Sequence, residues 1–151
     1  MTIFPAQWLI QKQVIFGYAY GDITNAEMEA YNKCMVNLLN TSNHAVHVLF
    51  VTHPDSQLSS PSIASGRRIL SYMGHHNLNW NVAVNNPKLL LGKLSVILAQ
   101  VARVRYRQFT YVDDALHFLK EIDDTLDWSK ADWAKLDVIT DHQPPDVSAP
   151  V

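Results

Sequence analysis

The sequence is poor in cysteine, glycine and long apolar runs, and each shortage excludes a class of protein. Cys34 is the only cysteine among 151 residues, so no disulfide can close within the chain, which fits a reducing compartment. The five glycines form no phosphate-binding loop, dinucleotide fingerprint or nucleophile elbow. The longest apolar run, residues 89–101, is interrupted by Gly92 and Lys93 and is too short to span a bilayer. The first residues lack a secretory signal pattern, so we expect a cytoplasmic protein without a membrane span.

The remaining composition is that of one globular domain, with 48% apolar and 17% charged residues. Residues 1–112 hold nine bases against four acids, whereas residues 113–151 hold three bases against ten acids. The acidic part could cover a basic face of its own domain or of a second copy, although simple solvation is the default. Arg103, Arg105 and Arg107 alternate along one segment, which is too little for a nucleic-acid interface. We therefore expect no nucleic-acid partner.

The first half of the chain predicts a hairpin, a helix and a central strand. Residues 8–20 are rich in aromatic and β-branched side chains around a polar turn at residues 11–13, which indicates two antiparallel strands. Thr24 and Glu27 form a T-x-x-E capping box, and apolar residues at helical spacing follow as far as Asn40. Residues 45–51 (AVHVLFV) are nearly all apolar, which is typical of a strand covered on both faces.

The second half predicts alternating helices and strands. Ser60 before Pro61 and Asn86 before Pro87 are helix-start signals, for helices that reach about residues 73 and 102. Residues 78–84 (LNWNVAV) and the arginine segment alternate with the period of a strand, and Thr110 with its acid three residues later opens a helix over residues 112–123. The order β-β-α-β-α-β-α-β-α predicts an α/β fold with a mixed sheet of about five strands flanked by helices.

This pattern resembles the STAS-like proteins of bacteria, which include anti-sigma-factor antagonists, and most of all their uncharacterised branch. The resemblance covers residues 8–123 and rests on the hairpin, the T-x-x-E helix, the serine-rich loop, HHNLNW (residues 75–80), the NP helix start, and VRYRQF leading to VDDALHFLKE. We therefore expect a STAS-like domain over residues 1–124 and an acidic, tryptophan-containing helical extension over residues 125–151.

The resemblance also implies a place to look for a phosphorylation switch. Antagonists carry an aspartate and then a phosphorylated serine at the start of the second helix, and the matching positions here are Ile63 and Ala64, so this alignment predicts that the switch is absent. The loop could instead bind an anion or a partner through Ser60, Ser62, Ser65, Arg67 and Arg68. Capping of the helix and solvation of the loop by these serines is the favoured alternative.

The histidines and acids give no sign of a reactive centre. The spacing of the seven histidines matches no metal-binding motif, so surface or helix-end positions are the better interpretation. The acids at positions 113, 114, 123 and 124 have the pattern of surface charges at the two ends of a helix. We expect no catalytic, cofactor-binding or metal-ligating residue.

Two features favour protein contacts. The helix over residues 88–102 is apolar around most of its circumference, which leaves Leu91 and Leu98 as candidates for a homodimer surface, although cover by neighbouring helices is slightly favoured. Trp128 and Trp133 in the extension must dock on the domain, on another copy or on another protein. We predict a non-enzymatic, self-associating regulatory or scaffold domain. The alternative is a small apolar ligand held between sheet and helices, in a pocket lined by Trp80, Tyr106 and the leucine-rich helix.

Overall fold

The computed structural model describes residues 3–58, 71–86, 88 and 90–141. The strands are β1 (Ile3–Ile10), β2 (Val14–Ala19), β3 (Asp22–Ile23), β4 (Val46–Thr52), β5 (Gln57–Leu58), β6 (Leu78–Val84) and β7 (Arg105–Phe109). The α-helices of the described residues are α1 (Asn25–Asn40), α2 (Leu90–Ala102), α3 (Val112–Ile122) and α4 (Asp137–Asp141), with 3₁₀ turns at Ser71–Gly74, Trp128–Lys130 and Trp133–Leu136. The helix predicted from Ser60 lies almost wholly outside the described residues.

The main sheet has five strands in the order β1-β2-β4-β6-β7. The hairpin strands β1 and β2 are antiparallel, and every other neighbouring pair is parallel. The prediction of an α/β fold with a mixed five-stranded sheet is therefore confirmed. The two-residue strands β3 and β5 pair separately and were not predicted, because segments this short carry no readable periodicity.

The middle strand shows why the sheet needs layers on both sides. All seven residues of β4 are buried, as the apolar run predicted. Helices α1 and α2 pack on one face of the sheet, which we call the α1 face, through residues such as Met35 and Leu98. Helix α3 and residues 126–139 cover the opposite face, which we call the α3 face, through residues such as Leu119 and Leu126.

One predicted helix start, at Thr24, is confirmed, and another, at Thr110, is wrong. Thr24 caps α1 as predicted, since its hydroxyl accepts the Glu27 N–H at 3.1 Å. The prediction that Thr110 caps α3 is wrong, because Tyr111 occupies the N-cap position and makes no side-chain cap bond within the described residues. A phenol ring cannot reach back to its own helix as a hydroxyl on Cβ does, so α3 begins without this stabilisation.

Candidate functional site

The residues 125–141 that follow α3 are held tightly against the hairpin. The Asp132 N–H donates to the Leu9 carbonyl at 2.8 Å, and the Lys135 ammonium donates to the Trp8 carbonyl at 2.6 Å. Gln13, from the hairpin turn, accepts the N–H of Asp127 at 2.8 Å through its side chain. The extension therefore docks on its own domain, one of the three possibilities that the sequence left open.

The two tryptophans of the extension lie side by side. The Trp128 and Trp133 rings stack with centroids 5.6 Å apart and an angle of 18° between their planes. The Lys120 ammonium of α3 lies 5.3 Å from the first ring and 5.7 Å from the second, within the range of a cation–π interaction. Trp128 is partly buried and packs against the core of the α3 face, but Trp133 remains 43% exposed. Docking within the chain therefore leaves one indole facing solvent.

An open groove lies between the start of α3 and the end of the extension, and we call it the aromatic groove. Its volume is about 470 Å³. Tyr111 and Trp133 are its most exposed apolar residues, and Tyr111 is 68% exposed. The other lining residues are Val112, Asp113, Leu116, Leu136, Ile139 and Thr140. The lining thus offers aromatic and aliphatic contacts with a single carboxylate.

Tyr111 was not singled out from the sequence, although a signal for it was present. An aromatic residue directly before an acid-rich first helical turn occupies the position where Ser, Thr, Asp or Asn would stabilise the helix. The side chain neither caps α3 nor enters the core. The Tyr111 ring therefore remains on the surface, at the edge of the groove.

The other candidate residues are distributed differently from the prediction. Leu98 is only 4% exposed and packs in the core of the α1 face, so its assignment to an outer contact surface is corrected. Among the α2 side chains that the structure describes, the large apolar residues that are exposed are Ile97 and Val101, which are four positions apart and hence on one side of the helix. The side chain of Leu91 lies outside the described part, as do Ser60, Ser62, Ser65, Arg67 and Arg68.

The predicted pocket between Trp80 and Tyr106 is not formed. The register of β6 and β7 pairs Trp80 with Arg105 and Asn81 with Tyr106, so Trp80 and Tyr106 point to opposite faces of the sheet. Trp80 packs edge-on against Phe118 of α3, with centroids 5.1 Å apart.

The interpretation of every histidine as a surface or helix-end residue is wrong for His47. This side chain is 2% exposed, and its Nε2 donates to Asp123 Oδ2 at 2.8 Å. Its Nδ1 accepts the Trp80 N–H at 3.3 Å, at a bulge where the register of β4 and β6 shifts. Asp123, interpreted as a surface charge, is therefore half of a structural pair that joins the central strand to the end of α3.

Hydrogen bonding sets the charge state of Asp123. Burial raises the pKa of this carboxyl group, but hydrogen bonds from the Thr125 hydroxyl, His47 and the Thr125 N–H together outweigh burial, so the pKa lies below its ordinary value. The folded state therefore favours the ionised form of the Asp123 carboxyl group.

The described residues contain neither a metal-binding cluster nor a helix that could span a membrane. In the described ranges, histidine, cysteine, aspartate and glutamate side chains do not assemble in groups of three or more that could hold a metal ion. Likewise, no helix within these ranges has the length and apolarity needed to cross a membrane. Comparisons with family models, with curated proteins and with solved structures returned no match.

Proposed function

We propose that this chain is a non-enzymatic, STAS-like regulatory or scaffold domain that acts through protein contacts, with self-association as its simplest form. The observation that carries the proposal is the aromatic groove, where Tyr111 and Trp133 expose large rings beside an apolar lining. Aromatic residues are enriched at protein interfaces and among the residues that contribute most binding energy.

Two further observations support contact with a protein. The extension is fastened to the hairpin by hydrogen bonds from Asp127, Asp132 and Lys135, so the groove is preformed and binding costs little conformational entropy there. The Ile97–Val101 stripe on α2 gives a second exposed apolar area on the opposite side of the sheet. Unlike Ile97 and Val101, the residues at the rim of the groove are aromatic.

The test is the oligomeric state of the full chain as a function of concentration, measured by light scattering after size-exclusion chromatography. We expect a dimer that dissociates on dilution, and a Tyr111→Ser/Trp133→Ser variant that is monomeric at the same concentrations. An Ile97→Ser/Val101→Ser variant is the matched control and is expected to remain dimeric. A wild-type chain that is monomeric throughout, or a dimer lost only in the α2 control, would overturn the proposal.

A second candidate function, the binding of a small apolar ligand, is favoured by a pocket between β1 and α1. The pocket has a volume of about 270 Å³ and is lined by Ile3, Pro5, Glu27, Ala30, Tyr31 and Cys34. The Glu27 carboxylate is part of this lining, and one of its oxygens is buried without a hydrogen-bond partner among the described residues. A ligand with an apolar body and one polar atom would suit these walls.

Native mass spectrometry of the purified protein tests this second function. We expect a co-purified small molecule in the wild type and its loss in Ala30→Trp, which fills the pocket from the exposed side of α1. A wild-type mass equal to that of the bare chain would count against ligand binding and leave the contact proposal unaffected.

A further inference from the structure

A third pocket lies at the opposite end of β7 from the aromatic groove. It has a volume of about 380 Å³, and its walls come from the turn before β6, from the start of β6 and from the junction of α2 with β7. The lining residues are Ala45, Met73, Gly74, His75, His76, Leu78, Asn79, Ala102, Arg103, Val104 and Arg105. This lining includes two arginines and no acid.

The two arginines are free of carboxylate partners within the described part of the chain. The Arg105 guanidinium donates through Nη1 to Asn79 Oδ1 at 2.9 Å, which orients the group and leaves its other N–H donors unused by this contact. A guanidinium that is oriented by a neutral amide keeps its full charge for a ligand. Arg103, which also lines the pocket, adds a second positive charge.

The backbone at Arg103 is unusual for an arginine. Arg103 has a φ of 56°, and it follows α2 in a Schellman motif in which its N–H donates to Gln100 O at 3.2 Å and Val104 N–H donates to Ala99 O at 3.0 Å. Glycine is the residue that adopts this conformation without cost. A basic residue in the last turn of α2 would stabilise the helix dipole without a positive φ, but that turn contains no basic residue. The strained position instead brings an arginine to the pocket.

Two stacked histidines form a wall beside the arginines. His75 Nε2 donates to Asn40 Oδ1 at 2.7 Å while its Nδ1 accepts the Asn77 N–H at 3.0 Å, so both ring nitrogens are engaged. The His76 ring stacks on His75 with centroids 4.6 Å apart. Together with Met73 and Leu78, these flat rings offer packing contacts to the body of a ligand.

We propose that this pocket binds a small organic oxyanion, whose phosphate or carboxylate group lies between the guanidinium groups of Arg103 and Arg105 and whose body contacts the imidazole wall. Arginine forks match the geometry of both oxyanions, and the volume suits a compact molecule. The site is independent of the aromatic groove, so either can fail without the other.

The first experiment measures binding of simple probes by the full chain. Inorganic phosphate, pyrophosphate and citrate are titrated at matched ionic strength, and binding is followed by calorimetry and by amide shifts in ¹⁵N-labelled protein. We expect saturable binding of at least one probe, with the largest shifts at Gly74, His76 and the residues from Arg103 to Arg105. An absence of saturable binding by all three probes, or shifts spread evenly over the surface, would overturn the proposal.

Substitutions distinguish specific binding in this pocket from a nonspecific attraction of anions to positive charge. Arg105→Gln and Arg103→Gly are each expected to weaken probe binding by about tenfold or more, the loss of one charged hydrogen-bonding partner. The matched control is Arg107→Gln, because the Arg107 guanidinium lies over Phe109 and Phe118, at 5.6 and 5.4 Å, outside the pocket lining. An equal loss in the control would overturn the proposal. The proposal would also be overturned if a short RNA bound more tightly than every probe and its binding were weakened equally by Arg107→Gln. That result would assign the arginines to an extended nucleic-acid interface.

Discussion

His47 and Asp123 are joined by a hydrogen bond of 2.8 Å across 76 positions of sequence, and this bond fastens the end of α3 to the middle strand of the sheet. The Trp80 N–H donates to the other ring nitrogen, so the imidazole carries its proton on Nε2 and donates it to the carboxylate. The His47 side chain thereby accepts a hydrogen bond from the Trp80 N–H at the β-bulge. It also holds Asp123, at the start of the loop that leads into the extension.

Replacement of Asp123 by asparagine should destabilise the fold by about 2 kcal/mol, the usual contribution of a hydrogen bond to a charged group. Urea unfolding at neutral pH provides the measurement. Asp124→Asn removes an exposed charge one position away and serves as control, with an expected change near zero. Equal effects of the two substitutions would contradict a specific role for the His47 bond.

The same carboxyl group predicts a loss of stability in acid. The folded pKa of Asp123 is lower than its ordinary value of 3.8, so its contribution is complete above about pH 4 to 5 and is lost as the pH falls through the lowered value. Urea midpoints measured from neutral to acidic pH should therefore fall less steeply in Asp123→Asn than in the wild type. Parallel curves would show that the pair has no part in acid sensitivity.

Tyr111→Ser should stabilise the monomer while it weakens self-association. Serine at this N-cap position can accept a first-turn N–H, which contributes about 1 kcal/mol. Thermal unfolding of dilute protein measures the gain, and light scattering measures the loss of association. Thr110→Ala is the control for cap position and should leave α3 unaffected, because Thr110 precedes the cap.

Arg103→Gly should raise the free energy of unfolding by about 1 kcal/mol, because glycine relieves the positive φ. Arg103→Ala keeps the Cβ atom and should bring no such gain. The comparison of these two variants in urea unfolding separates backbone strain from loss of charge. A greater stability of the alanine variant would be inconsistent with strain at this residue.

Gly17→Ala should destabilise the sheet by about 1–3 kcal/mol through overpacking. A Cβ atom at this position would lie 2.2 Å from the Tyr31 hydroxyl oxygen and 2.6 Å from the nearest ring carbon. Tyr31→Phe removes the hydroxyl and should therefore rescue part of the loss, while the ring contact remains. A double-mutant cycle with thermal unfolding measures the coupling, and its absence would show that the strand moves to accommodate the methyl group.

Local chemistry explains which parts of the fold could be predicted. The Thr24 N-cap, the buried run of β4 and the strand at residues 78–84 each depend on interactions between residues close in sequence, and all three were confirmed, although β6 does not alternate in burial as its sequence does. The predicted cap of α3, Thr110, lies one residue before the actual one, Tyr111. Which of these two residues takes the N-cap conformation depends on where the preceding strand ends, and the local sequence does not show this.

The candidate site depended on contacts that no local pattern contains. The sequence indicated that Trp128 and Trp133 dock, but the choice of the α3 face followed from hydrogen bonds to the hairpin more than a hundred positions away. In the same way, the pairing of Trp80 with Arg105 placed Tyr106 on the other face and removed the pocket expected between them.

Periodicity, helix caps and composition determined by themselves that this chain forms a mixed, layered α/β domain, because burial and main-chain hydrogen bonding impose short-range patterns on the amino acids. Only the tertiary structure decided that His47 is buried against Asp123, that Leu98 lies in the core, and that Tyr111 and Trp133 share a groove. Such relationships are set by strand register and by packing between distant segments, where a shift of one residue moves a side chain to the opposite face.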